Sequence, residues 1–111
     1  MIHRISTPAT PTQIDEMLEA WETVIKIAVD VRCEVLAGGG YLHSDCEEAL
    51  LVHGSSQEDV WAASWVPETG ELFFDSIVNI RPRQGNRTPG IEDPALQTQL
   101  AEIVHRLLEG V

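Results

Sequence analysis

Three of the seven basic residues lie in one polar segment, Arg81-Pro82-Arg83-Gln84-Gly85-Asn86-Arg87. The chain has 18 acidic residues and a net charge of −11, so a cluster of arginines is an electrostatic exception. The guanidinium plane matches carboxylate and phosphate oxygens, and a Gly-Asn turn can point backbone N–H groups at an anion. The segment predicts a small-anion site for phosphate, nucleotide or carboxylate, formed by Arg81, Arg83, Gln84, Asn86 and Arg87. The alternative is that these arginines pair with carboxylates of the same chain or of a second copy.

A second candidate site is the segment 43–48, which reads His-Ser-Asp-Cys-Glu-Glu. In an extended backbone His43, Asp45 and Glu47 would project to one side. An imidazole beside carboxylates can act in acid–base catalysis, so we consider a hydrolase that uses His43, Asp45 and Glu48 with the arginine segment as its anion clamp. No second histidine stands at a metal-ligand spacing, and we expect neither a metal nor a cofactor. The alternative is a solvated loop in which His43 hydrogen-bonds the turn.

Other motifs that often indicate chemistry are incomplete in this sequence. The triplet Gly38-Gly39-Gly40 lacks the Gly-Lys-Ser/Thr of a phosphate loop and is expected to serve a bend or a bulge. Cys33 and Cys46 form no Cys-x-x-Cys pair, so we expect two reduced thiols that are at least partly packed. The tryptophans Trp21, Trp61 and Trp65 are expected in the core, with a pocket lining as the alternative, and an exposed one would indicate a subunit interface.

Composition limits the partners of the chain. A net charge of −11 argues against binding to duplex nucleic acid and to anionic membrane surfaces, since both require cationic protein surfaces. No apolar run approaches the roughly 18 residues of a membrane span, and the N-terminus shows no secretory signal, which predicts a cytoplasmic protein. A length of 111 residues fits one domain, 1–111.

Hydrophobic periodicity predicts an α+β fold. Thr10-Pro11-Thr12-Gln13 is typical of a capped helix start, Asp93-Pro94 begins a last helix that Gly110 closes, and both helices are amphipathic. Alternating residues predict four main strands over 25–37, 49–52, 59–66 and 71–80, with a further short N-terminal edge strand over 2–5. Pro67-Glu68-Thr69-Gly70 is expected to form a hairpin loop. The expected order is β-α-β-β-β-β-α, an antiparallel meander with two helices covering one face.

The chain also resembles a small bacterial family of unknown function. The resemblance rests on Phe74-Asp75-Ser76-Ile77-Val78-Asn79-Ile80-Arg81-Pro82-Arg83-Gln84-Gly85-Asn86-Arg87, on Gly39 to Asp45 and Gly54 to Trp61, and on Glu92-Asp93-Pro94. It implies a shared domain and no activity. Because no catalytic motif is complete, we expect a non-enzymatic interaction domain that forms a homodimer, with small-anion binding and hydrolysis as the alternatives.

Overall fold

The computed structural model describes residues 1–109 and shows an antiparallel sheet of five strands with three α-helices in that part of the chain. The strands are β1 (His3–Ile5), β2 (Ile25–Asp30), β3 (Val35–Gly38), β4 (Val60–Val66) and β5 (Glu71–Phe73). The helices are α1 (Pro11–Met17), α2 (His43–Leu51) and α3 (Pro94–Leu108). The α+β class is confirmed, as is the short N-terminal edge strand. No helix within residues 1–109 is long and apolar enough to cross a membrane.

The helices cover both faces of the sheet. The strand order is β1-β3-β2-β4-β5 with antiparallel neighbours, so β1 is parallel to β2, and β3 is parallel to β4. Helix α1 lies in the crossover from β1 to β2, and helix α2 lies in the crossover from β3 to β4. The strands β3 and β4 run in the direction opposite to β1 and β2. Because such crossovers are right-handed, the two helices must lie on opposite faces. Helices α1 and α3 pack against Ile27 and Val29, whereas Cys46 and Leu50 of α2 pack against Ala28. The two helices predicted from the sequence, α1 and α3, share one face as expected, and α2, which was not predicted, covers the other face. The expected meander is wrong, because β3 lies between β1 and β2 in the sheet.

The predicted long strand 25–37 is a hairpin of β2 and β3. The Asp30 carboxylate reverses the chain: its Oδ1 accepts hydrogen bonds from the backbone N–H groups of Arg32 and Cys33, both at 2.9 Å. Its Oδ2 accepts a bond of 2.6 Å from the Ser55 hydroxyl. Glu34 completes the turn with a φ of 57°. Apolar and polar residues continue to alternate across this turn, and the turn contains no glycine or proline. The alternation therefore could not show that one strand ends at Asp30 and the next begins at Val35.

Two other predicted strands are corrected. Residues 49–52, predicted as a strand, belong largely to helix α2, whose buried Cys46 and Leu50 have helical i, i+4 spacing. Residues 71–80, predicted as one strand, form β5 only as far as Phe73 and then leave the sheet for a 3₁₀ turn at Ile77–Asn79. The observed order is β-α-β-β-α-β-β-α.

Several local predictions are confirmed. The Thr10 hydroxyl accepts a hydrogen bond from the Gln13 backbone at 3.2 Å, and the Gln13 side chain accepts one from the Thr10 backbone at 3.0 Å. Asp93 caps α3, and Gly70 takes the positive φ of 75° that the hairpin requires. The bend at the glycine triplet is needed at Gly39, where a Cβ would clash with the Met1 carbonyl. Gly110, the expected end of α3, lies outside the described residues.

The tryptophans divide between core and surface. Trp61 and Trp65 are buried on β4 as predicted, but Trp21 is 44% exposed, so its prediction as a core residue is wrong. Helix α1 ends at Met17, one turn before Trp21, and the apolar stripe does not extend to it. The Trp21 indole instead donates a 3.0 Å hydrogen bond to the Tyr41 carbonyl at the surface.

Candidate functional site

Two buried asparagines organise the polar segment that follows β5. The Asn79 amide accepts a 2.8 Å hydrogen bond from the Ala62 N–H and donates one of 2.9 Å to the Ala62 carbonyl, in the manner of a neighbouring strand. The Asn86 amide donates to the carbonyls of Asn79 and Gly90, both at 2.7 Å, and accepts from the Glu92 N–H. The polar atoms of Asn86, a predicted anion ligand, are therefore engaged inside the loop.

Arg81 is also engaged within the chain. Its Nη2 contacts the Glu47 carboxylate at 3.0 Å, and the two side chains are only 10% and 12% exposed. Its Nη1 and Nε donate to the carbonyls of Gln57 and Val78 at 2.6 and 3.1 Å, and its guanidinium stacks on the Trp61 ring at 4.7 Å. Burial lowers the pKa of Arg81, and Glu47 opposes that shift. These contacts fix segment 77–82 against α2 and β4.

Arg83 and Arg87 are the two arginines of the segment whose side chains make no salt bridge with any carboxylate of residues 1–109. Both are exposed. Gln84 donates a 2.9 Å hydrogen bond to the Glu58 carbonyl. A cavity of about 480 Å³, here called the arginine cavity, is lined by Arg81, Arg83 and Gln84 among others. The structure thus brings three of the five predicted ligands to one cavity and leaves Asn86 and Arg87 out of its lining.

His43 is the first residue of α2 and reaches β4. Its Nε2 lies 3.0 Å from the Ala63 carbonyl and 3.0 Å from the Ser64 hydroxyl. Because a carbonyl only accepts, Nε2 bears the proton and Nδ1 keeps a lone pair. Burial lowers the pKa of His43, as does the nearby Lys26 charge, while the Ala63 carbonyl and Asp75 oppose the shift. His43 is therefore a neutral base at neutral pH.

A second cavity, of about 390 Å³, is here called the His43 cavity. Its polar lining comes from three separate segments and includes Lys26, His43, Ser44 and Asp75. It adjoins the arginine cavity, since Ile77 lines both. No sequence signal indicated Lys26 or Asp75 at this site, because β2 and the chain after β5 approach His43 only in the folded structure.

Asp45 and Glu48, the predicted catalytic partners of His43, lie elsewhere. The predicted extended geometry of segment 43–48 is wrong because the segment is helical. Asp45 turns back to accept a 3.3 Å hydrogen bond from the Leu42 N–H. Asp45 and Glu48 line a different cavity, together with Val52. A hydrolase built on these three side chains stays a prediction, and they share no cavity.

The thiols and metal-ligand types add no further site. Cys33 and Cys46 are both free, and Cys46 is buried, but Cys33 is exposed, so the expectation that both thiols are at least partly packed is wrong for Cys33. Burial raises the pKa of Cys46 to about 11, and its thiol donates to the Lys26 carbonyl. Within residues 1–109, no group of three or more His, Cys, Asp or Glu residues is placed to hold a metal ion.

A line of large apolar side chains borders the two cavities at the surface. It is here called the apolar ridge and consists of Trp21, Tyr41, Leu42, Ile77 and Ile80, all exposed. Leu42 and Ile77 line the His43 cavity, and Ile77 and Ile80 line the arginine cavity. Ile77, at the junction, is 80% exposed. The aromatic rings of Trp21 and Tyr41 pack edge to face with centroids 6.2 Å apart.

Comparison with known families now places the chain. A family described as "Protein of unknown function (DUF5674)" matches residues 3–107. The chain belongs to this family. The family resemblance seen in the sequence is confirmed, and segments 39–45, 54–61 and 74–87, on which it rests, contribute residues to the two cavities. No curated protein and no solved structure matches the chain.

Proposed function

We propose that this chain is a cytoplasmic, non-enzymatic interaction module that forms a homodimer through the apolar ridge. The observation that supports this is the exposure of the five large apolar side chains that form the ridge beside the two cavities. Water-exposed apolar clusters of this kind mark interaction surfaces, whereas isolated exposed residues need no explanation. Aromatic residues are enriched in such surfaces, and the ridge includes Trp21 and Tyr41.

Charge favours a second copy as the partner. Two chains of net charge −11 repel each other, so their interface needs local cations. Arg83 and Arg87 belong to the arginine segment beside the ridge, and neither guanidinium group makes a salt bridge within residues 1–109. The backbone N–H of Arg87 donates to the Glu92 carboxylate. A two-fold dimer brings the same patch of both copies together. The arginines of one copy can then meet carboxylates of the other copy that lie close to its ridge, such as Asp75.

Light scattering after size exclusion tests the homodimer. The wild type should elute as a dimer at high micromolar concentration, and Ile77→Asp should elute as a monomer because a charge is placed at the centre of the ridge. Val52→Asp is the matched control, since Val52 is 70% exposed at the other end of α2 and lines neither cavity of the ridge. A wild-type monomer at that concentration, or equal effects of both variants, would contradict the proposal.

A second candidate function is small-anion binding by Arg83 and Arg87, with the other residues predicted from the sequence in supporting positions. The observation that favours it is that these two guanidinium groups make no salt bridge within residues 1–109. In this scheme Arg81, Gln84 and Asn86 position the segment through their internal hydrogen bonds. Arginine forks bind phosphate and carboxylate oxygens in a bidentate manner.

Thermal-shift titration with phosphate, pyrophosphate and citrate tests this candidate. An anion present at 100 times its Kd should stabilise the protein by about 2.7 kcal/mol. Arg83→Ala/Arg87→Ala should abolish the stabilisation, and Arg32→Ala/Arg106→Ala, which removes the same charge elsewhere, should retain it. If both double variants respond as the wild type does, the arginine segment is not the binding site.

A further inference from the structure

The His43 cavity contains charges of opposite sign that do not pair. Lys26 and Asp75 both line it, yet no salt bridge joins Lys26 to any carboxylate of residues 1–109. The Lys26 ammonium lies 4.8 Å from the centre of the Trp21 ring, a contact that leaves its N–H donors free for another partner. Two unpaired opposite charges at one cavity leave room for a guest that satisfies both.

His43 supplies a third polar group of defined character. Its Nε2–H is held by the Ala63 carbonyl, and Nδ1 has no hydrogen-bond partner within residues 1–109. Nδ1 is therefore an acceptor. The charges of Lys26 and Asp75 both act on the pKa of this ring, in opposite directions, so His43 lies within electrostatic range of each.

Apart from Ser44 and Ser76, the remaining lining is apolar. Leu42, Ile77, Val78 and Pro89 contribute to the wall of the same cavity. The cavity thus offers one cationic donor, two acceptors, two serines and an apolar wall. Its volume of about 390 Å³ lies near the lower end of the roughly 300–1,000 Å³ found for small-molecule sites.

We propose that the His43 cavity binds a free α-amino acid with an apolar side chain. Lys26 receives the carboxylate, Asp75 and the Nδ1 atom of His43 receive the ammonium group, and Leu42 and Ile77 contact the side chain. A zwitterion suits the site because it presents a charge of the correct sign to each unpaired group. This inference concerns a ligand and does not rest on the homodimer.

Calorimetric titration with leucine and two truncated analogues tests the site. Leucine should bind saturably, while 4-methylpentanoate, which lacks the amine, and 3-methylbutylamine, which lacks the carboxylate, should each bind at least about tenfold more weakly. Lys26→Met should weaken leucine binding by about tenfold or more and leave 3-methylbutylamine binding unchanged. Asp75→Asn should weaken leucine similarly and leave 4-methylpentanoate binding unchanged. Arg32→Met and Glu68→Gln are the charge-matched controls and should bind as the wild type does.

An NMR measurement on the wild type provides a test that does not depend on whether the variants fold. Leucine should shift the ring nitrogen signals of His43 and leave those of the exposed His53 unchanged. Absence of binding by leucine, isoleucine, valine, methionine and phenylalanine would overturn the proposal, as would unchanged binding in folded Lys26→Met and Asp75→Asn. Because Leu42 and Ile77 belong both to the ridge and to this cavity, the titration is repeated at a protein concentration at which light scattering shows a monomer. A wild type that is monomeric at every concentration would contradict the homodimer and leave the ligand site standing.

Discussion

At the scale of single residues, buried polar side chains close the chain reversals of this fold. Asp30 replaces backbone acceptors in the β2–β3 turn. Burial raises the pKa of its carboxyl, but hydrogen bonds from Ser55, Cys33 and Arg32 together outweigh this and hold the pKa below its usual value. A sequence read by hydrophobic pattern treats such residues as solvent-exposed, and their structural role becomes visible only when the donors that surround them are known.

The pH dependence of stability provides a prediction at this scale. Burial and Lys26 hold the pKa of His43 below its ordinary value of 6.5. As pH falls through 6.5, the unfolded chain binds a proton at His43 that the folded chain does not bind, so the free energy of unfolding decreases. His43→Gln should therefore lose less stability than the wild type when urea unfolding is compared at about pH 7.5 and about pH 5.5. His53→Gln is the control. A loss in His43→Gln equal to that of the wild type would contradict the prediction.

The arginine segment shows how far residue types alone could lead. Its concentration of positive charge drew attention to a segment in which Arg83 and Arg87 are exposed. The same residue types also suit internal anchoring, and Arg81 and Asn86 are used in that way. Only the positions of Glu47 and Asn79 distinguish the two uses, and sequence spacing does not give those positions.

At the scale of elements, the local signals that involve capping proved more informative than apolar alternation. The capping box at Thr10 and the cap at Asp93 mark helix starts through specific hydrogen bonds. Helix α2 escaped recognition because it buries only Cys46 and Leu50 and so has a weak apolar stripe. The break between β2 and β3 was not recognised because apolar and polar residues alternate in the same phase on both sides of the turn at Asp30.

The Arg81–Glu47 pair joins two elements and provides the second prediction. Arg81→Met leaves the Glu47 carboxylate buried without its partner, which should lower the free energy of unfolding by about 3–5 kcal/mol. Arg106→Met breaks the exposed pair with Glu34 and should cost only about 0–1 kcal/mol. Glu47→Leu/Arg81→Met removes both charges and should regain most of the stability. Equal losses in the two single variants, measured by urea unfolding, would show that the Arg81 contact does not anchor α2.

At the scale of the whole molecule, the two crossover helices make β2 a strand buried from both sides. Every residue of β2 is buried except Lys26, which is half-buried. The overall class follows from the mixture of periodicities in the sequence. Predicting helices on both faces of the sheet required recognising every crossover. Because α2 was not recognised as a helix, the sequence predicted a meander with helices on one face only.

The net charge of −11 provides a prediction for the molecule as a whole. Self-repulsion among exposed carboxylates opposes the compact state, and salt screens it over a Debye length of about 10 Å at 0.1 M. If added KCl restores about 1 kcal/mol, the Tm should rise by about 4–8 °C. Neutralising exposed acids, as in Glu68→Gln/Glu71→Gln, should reduce that rise. A Tm that falls with KCl would show that attractive ion pairs outweigh the repulsion.

The hydrogen bonds between Asn79 and Ala62 also protect the edge of the sheet from pairing with strands of other molecules. β5 has 3 residues and β4 has 7, so β4 extends beyond its outer neighbour. An open backbone there would be a template for a foreign strand and for fibril growth. The Asn79 amide occupies both backbone groups of Ala62 and blocks that template. Replacing it with an apolar residue would reopen the border of the sheet, and the first consequence would be aggregation during folding rather than the loss of any bound partner.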